Sequence, residues 1–411
     1  MFGRIGLLSF GGPAAQIALI HRELVEERRW LDEPAFLRAL SFCMFLPGPE
    51  ATQLAAYAGW RRAGIGGALI GGGLFILPGA AVVLALAALY IEYRSLPLVD
   101  AAFWGLRAAV VAIVAEALLR LSRRALTGGR ERIIAGAALA ALMVAGIPFW
   151  LVVIMAAVAG VVFLPPAPAT DEVPAAQGHA RRSLGILMIG AAIWILPVGL
   201  VALSGSEFLT TLGLYFSRLA LVTFGGAYTV LAAMVQTIAN SLGWITTAQM
   251  IDALALAETT PGPLILVTEF AAYLAGHAQG GPAMALTAAA LTLWVTFVPS
   301  LVWIIAFAPH IERLASLPRL SAALAGISAA AVGVIASLGL WFAAQVIFTR
   351  PNGLRLGPFA LPDLASVDLP AVALVVIAAI LLLRLHWPLA LVLALSALTG
   401  ILYFVMSGTV P

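Results

Sequence analysis

Charge is scarce in this 411-residue chain: Asp, Glu, Lys and Arg together make up 10% of it, against 63% apolar residues. The mean hydropathy is +1.06. Soluble domains are about a quarter charged and about half apolar, so a soluble globular protein is excluded. Lysine is absent; all 22 basic residues are arginine. A phosphate-cradling loop built on lysine is therefore missing, as are a nucleophile elbow, a His-Glu pair at zinc spacing and a cysteine pair. The single cysteine, Cys43, permits neither an internal disulfide nor a thiolate metal cluster. An enzyme is not expected, nor a cofactor or a metal. The two-residue alternation of an outer-membrane barrel is missing too. The opening MFGRIGLLSFGG has no charged stretch followed by a cleavage site, so no signal peptide is expected.

What is there is apolar sequence in long runs, enough for about 13 membrane spans of about 20 residues. The expectation is an all-α polytopic membrane protein. Spans are placed near 3–20, 35–58, 65–90, 98–119, 132–147, 148–164, 184–204, 208–238, 249–276, 283–308, 320–347, 369–384 and 386–407. Those at 132–147, 148–164 and 369–384 are short for a full crossing. Residues 165–183, with PPAPATDEVPAAQGHARR, read as an exposed cytoplasmic linker.

The chain repeats itself. Ser9-Phe10-Gly11-Gly12 recurs as Thr223-Phe224-Gly225-Gly226, an offset of 214, and Pro47-Gly48-Pro49 recurs as Pro261-Gly262-Pro263 at the same offset. Arg4 then matches Arg218, Trp30 matches Trp244, and Gly66-Gly67 matches Gly280-Gly281; further on, Gly105 aligns with Gly326 at an offset of 221. A tandem duplication follows: a first repeat over 1–164, the linker, a connecting helix over 184–207, and a second repeat over 208–411. With Met1 inside, twelve arginines fall in inside loops and six in outside loops, the direction expected of a membrane protein. Seven spans separate the repeat starts, so the halves run in opposite directions, a common plan of secondary transporters. Thirteen spans leave the C-terminus outside.

Each half has two interruptions, at Gly-Gly in its first span and at Pro-Gly-Pro in its second. Proline and glycine unwind a helix, and unwound backbone is tolerated in a membrane only where protein or water satisfies it. A half-helix starting after Pro49 or Pro263 offers free N–H groups and a positive dipole end, an anion site; the alternative is a packing kink. Gln53, Thr259 and Thr260 are polar neighbours of the breaks. Arg4 and Arg218 could supply forked donors to an oxyanion, although Arg4 could equally snorkel to the interface. Glu50 and Glu258 flank the two Pro-Gly-Pro motifs. A carboxylate there repels a dianion unless protonated, which points to proton coupling; Glu50 could instead cap its half-helix. Glu269, two turns on, could line the same cavity. Arg107 and Glu116 read as interhelical partners, and Gly71-Gly72-Gly73 as a close-packing face.

SFGGP (9–13), WLDE (30–33) and CMFLPGPEATQLAAYAGW (43–60), with TFGGAYTVL (223–231), GWIT (243–246) and LAETTPGPLILV (256–267), resemble the two halves of long-chain chromate ion transporters. The resemblance covers nearly the whole chain outside the linker. It implies two inverted homologous halves and efflux of chromate, with sulfate as an analogue of the same shape and charge. It points to Phe10-Gly11-Gly12, Pro47-Gly48-Pro49-Glu50, Gln53, Phe224-Gly225-Gly226 and Glu258-Thr259-Thr260-Pro261-Gly262-Pro263. The expected substrate site is Ser9, Phe10, Gly11, Gly12, Pro47, Gly48, Pro49, Gln53, Arg218, Thr223, Gly225, Gly226, Thr259, Thr260, Pro261, Gly262 and Pro263. Glu50 and Glu258 are the coupling acids, with Arg4 and Glu269 as further members. The expected setting is the inner membrane, with chromate or sulfate and the lipid bilayer as partners, no nucleic acid, and a homodimer allowed. The rival readings are a sulfate or molybdate carrier and an anion channel.

Overall fold

The computed structural model describes residues 1–10, 12–165, 179–224, 226–310, 317–350, 355–356 and 359–408. Gly11, Gly225, Arg313 and most of the expected linker lie outside the described residues. The helices are α1 (Phe2–Leu8), α2 (Gly12–His21), α3 (Glu33–Phe45), α4 (Glu50–Tyr93), α5 (Pro97–Ala125), α6 (Gly129–Met143), α7 (Phe149–Phe163) and α8 (His179–Leu203). They continue as α9 (Glu207–Leu221), α10 (Ala227–Met234), α11 (Thr247–Thr259), α12 (Val267–Phe307), α13 (Pro318–Ile347), α14 (Leu369–Leu383) and α15 (Leu389–Ser407). One short antiparallel ribbon pairs Arg355–Leu356 with Phe359–Ala360.

Among the described residues, six segments are long and apolar enough to cross a membrane: Glu50–Tyr93, Pro97–Ala125, Arg181–Leu203, Leu264–His310, Pro318–Ile347 and Leu389–Ser407. Helices α6, α7 and α14 have 15 residues each, a length of roughly 22 Å, short of a hydrocarbon core of about 30 Å. They fall on the three segments that the sequence marks as short for a crossing.

All four interruptions appear as breaks. Helix α1 ends at Leu8 before α2 opens at Gly12, and α9 ends at Leu221 before α10 opens at Ala227. The Pro-Gly-Pro motifs separate α3 from α4 and α11 from α12. Helices α4 and α12 also fold back on themselves. Ala63 (φ −146°, ψ 27°) and Gly64 (φ 60°, ψ −143°) bend the first, and Gly280 (φ −162°, ψ 23°) and Gly281 (φ 72°, ψ −162°) the second. Gly59 consequently packs on Gly67, and Gly276 on Met284, Ala285 and Ala288. Each is a hairpin of two helical arms, 50–62 with 65–93 and 267–279 with 282–307.

The repeat persists in the element boundaries. Helices α3 and α11 begin at the same offset of 214, and both halves carry a π-helical turn, Arg22–Glu27 and Val235–Ser241. A 3-10 turn, Leu264–Leu266, then adds three residues after the second Pro-Gly-Pro, so that the offset between α4 and α12 grows to 217. The bend at Ala63-Gly64 thus matches Gly280-Gly281, and the expected pairing of Gly66-Gly67 with that bend shifts by three. Helices α5 and α13 are offset by 221, and α6 and α7 precede α14 and α15 by 240. Helix α8 stands outside the repeat.

The chain forms two compact units that cut across the tandem halves. The first comprises Met1–Ala85, Pro165–Ala227 and Thr260–Leu324. Its core gathers Ile20, Leu24, Phe36, Phe42, Leu54 and Phe75, all buried. Gly71 packs on Ala55 of the facing arm and Gly72 on Leu301, whereas Gly73 faces open space. Helix α8 is tied to α12 where the indole N–H of Trp194 donates to Val295 O (2.9 Å).

The second unit comprises Leu86–Leu164, Tyr228–Thr259 and Ala325–Pro411. Gly105 of α5 lies against Ser396 of α15, and Gly400 against Ala101, the close approach that small residues allow between membrane helices. Asp252 of α11, fully buried, accepts two bonds from Arg107 (2.7 and 3.0 Å), one from the Tyr90 hydroxyl (2.7 Å) and one from Arg94 (3.3 Å). Arg94 also pairs with Asp100 at 2.8 Å. Two arginines and two aspartates make the cluster neutral, the condition under which buried charge is tolerated. Arg107 is thus an interhelical partner, as expected. Glu116, by contrast, pairs with Arg120 on its own helix.

Candidate functional site

The first unit brings both Pro-Gly-Pro motifs together with both Phe-Gly-Gly motifs. Gly48 N donates to Thr223 O (3.0 Å), and Gly262 N donates to Ser9 O (3.1 Å). Gly48 and Gly262 are repeat equivalents, and so are Ser9 and Thr223. Each half's second break is therefore bonded to the other half's first. The peptide groups freed by unwinding find partners in protein, as membrane burial demands.

Glycine is required at both donors. Gly48 has φ +128° and Gly262 φ +92°, values that L side chains rarely adopt. A Cβ at Gly48 would fall 2.8 Å from Ser300 Oγ and 2.9 Å from Gln53 Nε2. At Gly262 it would fall 3.1 Å from Gly79 Cα. Ser300 and Gly79 thus pack reciprocally on the two break glycines, at an offset of 221.

Beside the Gly48–Thr223 bond lies a small, partly open cavity. It is lined by Gln16, Gly48, Pro49, Glu50, Ala51, Thr223, Gly226, Ala227, Pro263, Leu264 and Ile265. Six of these belong to the expected site or coupling set: Gly48, Pro49, Glu50, Thr223, Gly226 and Pro263. The α4 arm begins at Glu50, with Gln53 N bonded to Pro49 O at 3.0 Å, so the first-turn N–H groups have no acceptor within the helix. They lie at the cavity wall. Among the described residues none that lines it is basic; the N-terminal end of the α4 arm contributes the positive end of its dipole, with Glu50 on the same wall.

Other expected residues support the cavity from behind. Gln53 is fully buried and donates to Pro47 O at 2.9 Å. The hydroxyls of Ser9 and Thr223 are committed to Ile5 O and Leu219 O, each at 2.6 Å, so neither serves an anion as a donor. Thr260 and Pro261 are buried, and Gly12 takes φ +78°.

Several expected members lie elsewhere. Arg218 is exposed on α9, whose buried face carries Leu212, Phe216, Ser217 and Leu219. Arg4 is likewise exposed, opposite the buried Phe2, Ile5 and Gly6 of α1. Phe10 is 48% exposed. Thr259 is exposed and donates back to Leu256 O at 2.8 Å. Glu258 belongs to the second unit, where it is buried and accepts from the Tyr228 hydroxyl at 2.5 Å. Glu269 is 1% exposed but lines no part of the cavity.

Two residues were missed. Gln16 is buried, and its amide donates to Gly262 O at 2.7 Å, satisfying a carbonyl of the unwound stretch. A lone amide in the apolar run between Gly12 and Ile20 was the available signal. Ser300 had a weaker one, a hydroxyl next to Pro299 and at a four-residue spacing from Thr296 and Thr292.

A sequence model of the chromate transporter family matches residues 1–161 and again 210–401. A chromate transport protein of Pseudomonas aeruginosa is 34% identical over 370 residues, covering 87% of this chain and 82% of the relative. A chromate transport protein of Cupriavidus metallidurans is 29% identical, over 86% of this chain and 84% of its own. A probable chromate transport protein of Synechococcus elongatus is 29% identical over 92% of both. No solved structure matches.

Proposed function

This chain belongs to the chromate transporter family, a family of membrane transporters rather than enzymes, and on that premise we propose that it carries chromate outward across the inner membrane as a secondary transporter. The observation that carries the reading is the reciprocal bonding of the two broken segments beside one cavity. Discontinuous helices whose N-terminal ends face an anion are how many secondary transporters bind substrate. The dianion is held by the first-turn N–H groups of α4 at the cavity wall. Sulfate, with the same shape and charge, competes. A two-fold relation between inverted halves accounts for the exchange of bonds between Ser9, Gly48, Thr223 and Gly262, and rocking of one half against the other exposes the cavity to alternate sides.

The cavity's acid sets the coupling. A dianion beside Glu50 is opposed unless that carboxyl carries a proton, so chromate binding and protonation at Glu50 favour each other. A negative interior drives each outgoing charge by about 2.3 kcal/mol per 100 mV. A dianion leaving with one proton still exports one negative charge, so the potential supplies net drive. Glu258, hydrogen-bonded to Tyr228, is the second coupling acid.

Labelled chromate uptake into everted vesicles tests this. Accumulation should follow a lumen-positive potential, fall with excess sulfate and rise as pH is lowered, and Glu50→Gln should remove the pH dependence. Absence of potential-driven accumulation, with sulfate entering right-side-out vesicles instead, would overturn chromate efflux in favour of uptake. An unchanged pH dependence in Glu50→Gln would remove that residue's role.

A further inference from the structure

Away from the cavity, the first unit holds a run of buried oxygens that the protein leaves unbonded. Thr292, Thr296 and Ser300 lie on the second arm of α12, each at most 4% exposed, and none of their hydroxyls has a hydrogen-bond partner. Spaced four residues apart, they share one helix face and extend over roughly 12 Å. Several other helical hydroxyls bond back to their own backbone, Thr268 to Ile265 O, Thr287 to Ala283 O, Ser337 to Val334 O and Thr399 to Leu395 O, and the further unbonded serine and threonine hydroxyls, on Thr52 and Ser217, stand singly on α4 and α9. The three on this face do neither.

The run has a defined start and end. Gly276 packs on Met284, Ala285 and Ala288, and two helical turns away from that contact Glu269 comes level with Thr292. Glu269 is 1% exposed, and its Oε2 has no partner. Helices α8 and α9 pack on α12. Among the described residues, neither their charged groups (Arg181, Arg182, Glu207 and Arg218) nor His277 and His310 forms an ion pair with Glu269. At the other end Ser300 sits against Gly48 beside Gln53, whose Oε1 is also unbonded.

Duplication supplies the control. Ser300 is matched by Gly79 through their reciprocal packing on the break glycines. Counting down in fours from Gly79, the first half carries Phe75 and Gly71 where the second has Thr296 and Thr292. The fold is built there without hydroxyls, so their presence in one half is not a packing requirement. Buried polar atoms without protein partners call for water or an ion.

We propose that Glu269 and the Thr292–Thr296–Ser300 face form a hydrated proton path that ends at the Gly48 break. Waters bridge successive hydroxyls, and Glu269 takes up and releases the proton at the far end. The path rests on the proton coupling proposed above, supplying the route by which Glu50's neighbourhood exchanges protons.

Two readouts separate the path from the coupling. In a Cys43→Ala background, Thr292→Cys and Thr296→Cys should react with a small cationic thiosulfonate applied in water, while Leu291→Cys, buried on another face of the same helix, should not. In vesicles carrying a pH dye, Thr296→Val and Glu269→Gln should lower chromate-linked proton flux at least about tenfold. Labelled chromate counterflow should stay within about twofold in the same vesicles, showing that the variants fold, and Thr296→Ser should restore the flux. Unreactive cysteines at 292 and 296 overturn the path. So does full proton flux in both Thr296→Val and Glu269→Gln. Wild-type transport without proton flux, with reactive cysteines, instead overturns the coupling reading and leaves a hydrated face without a relay.

Discussion

Substituting Gly48 by alanine tests the break directly, because two separate costs can be read from the structure. The backbone angle of +128° is one that a Cβ strains by about 1–3 kcal/mol. The new methyl would also stand 2.8 and 3.0 Å from Ser300 Oγ and Cβ, an overpacking worth about 1–3 kcal/mol more. Only the second cost is removable. Ser300→Gly deletes both clashing atoms and leaves Gln53 Nε2, the end of a flexible side chain, as the remaining close neighbour. The double variant Gly48→Ala/Ser300→Gly should therefore be less impaired than the sum of the single variants by about 1–2 kcal/mol, a coupling between touching residues. Since about 1.4 kcal/mol is tenfold in an equilibrium, chromate counterflow should fall at least tenfold in Gly48→Ala and recover several-fold in the double variant. Gly73→Ala is the control, since a Cβ there meets nothing within 4 Å and should leave thermal stability in detergent unchanged or slightly higher. If Ser300→Gly rescues nothing, the steric account of the break is wrong. A Gly48→Ala variant as benign as Gly73→Ala would dispose of the strain account too.

Gln16→Leu should cost about 1–3 kcal/mol, because Gly262 O loses its donor while staying buried; melting temperature and counterflow should fall together, and an unchanged melting temperature would count against the bond. Arg107→Ala should cost about 3 kcal/mol, at the low end for a broken buried pair because Arg94 still reaches Asp252. The double variant Arg107→Ala/Asp252→Ala should be milder than the two single losses added, which denaturation of all four proteins would check. Arg218→Gln should leave the KM for chromate within about twofold, since that side chain lies outside the cavity; a tenfold rise would return Arg218 to the binding site.

The breaks and the duplication were legible because glycine and proline act locally: their backbone consequences follow from the residue itself. Which polar groups face inward was not. Arg218 sits inside an apolar run, yet α9 turns it outward because Leu212, Phe216 and Leu219 claim the buried face. Ser9 and Thr223 looked like donors to a ligand, but a hydroxyl four residues after a helical carbonyl has a nearer acceptor. Glu50 and Glu258, both beside a Pro-Gly-Pro, fall in different compact units, a partition that depends on long-range packing. The three-residue 3-10 turn after Pro263 was invisible as well, since Leu264-Ile265-Leu266 carries the same apolar signal as the helix that follows.

Duplication gave the two halves the same breaks, and divergence made their surroundings unequal. Equivalent residues make the reciprocal bonds at Gly48 and Gly262, so that part of the arrangement is shared by both halves. The additions are one-sided. Gln16 props Gly262 from the first half, while its counterpart Val230 can prop nothing. Glu50 opens the α4 arm, where the second half begins α12 with Val267. Ser300 meets Gly48, where the first half sets Gly79 against Gly262. A carboxyl, an amide and a hydroxyl have thus accumulated around one glycine of a symmetric pair. The bonds at the breaks are common to both halves, while the polar side chains beside them are gathered at Gly48.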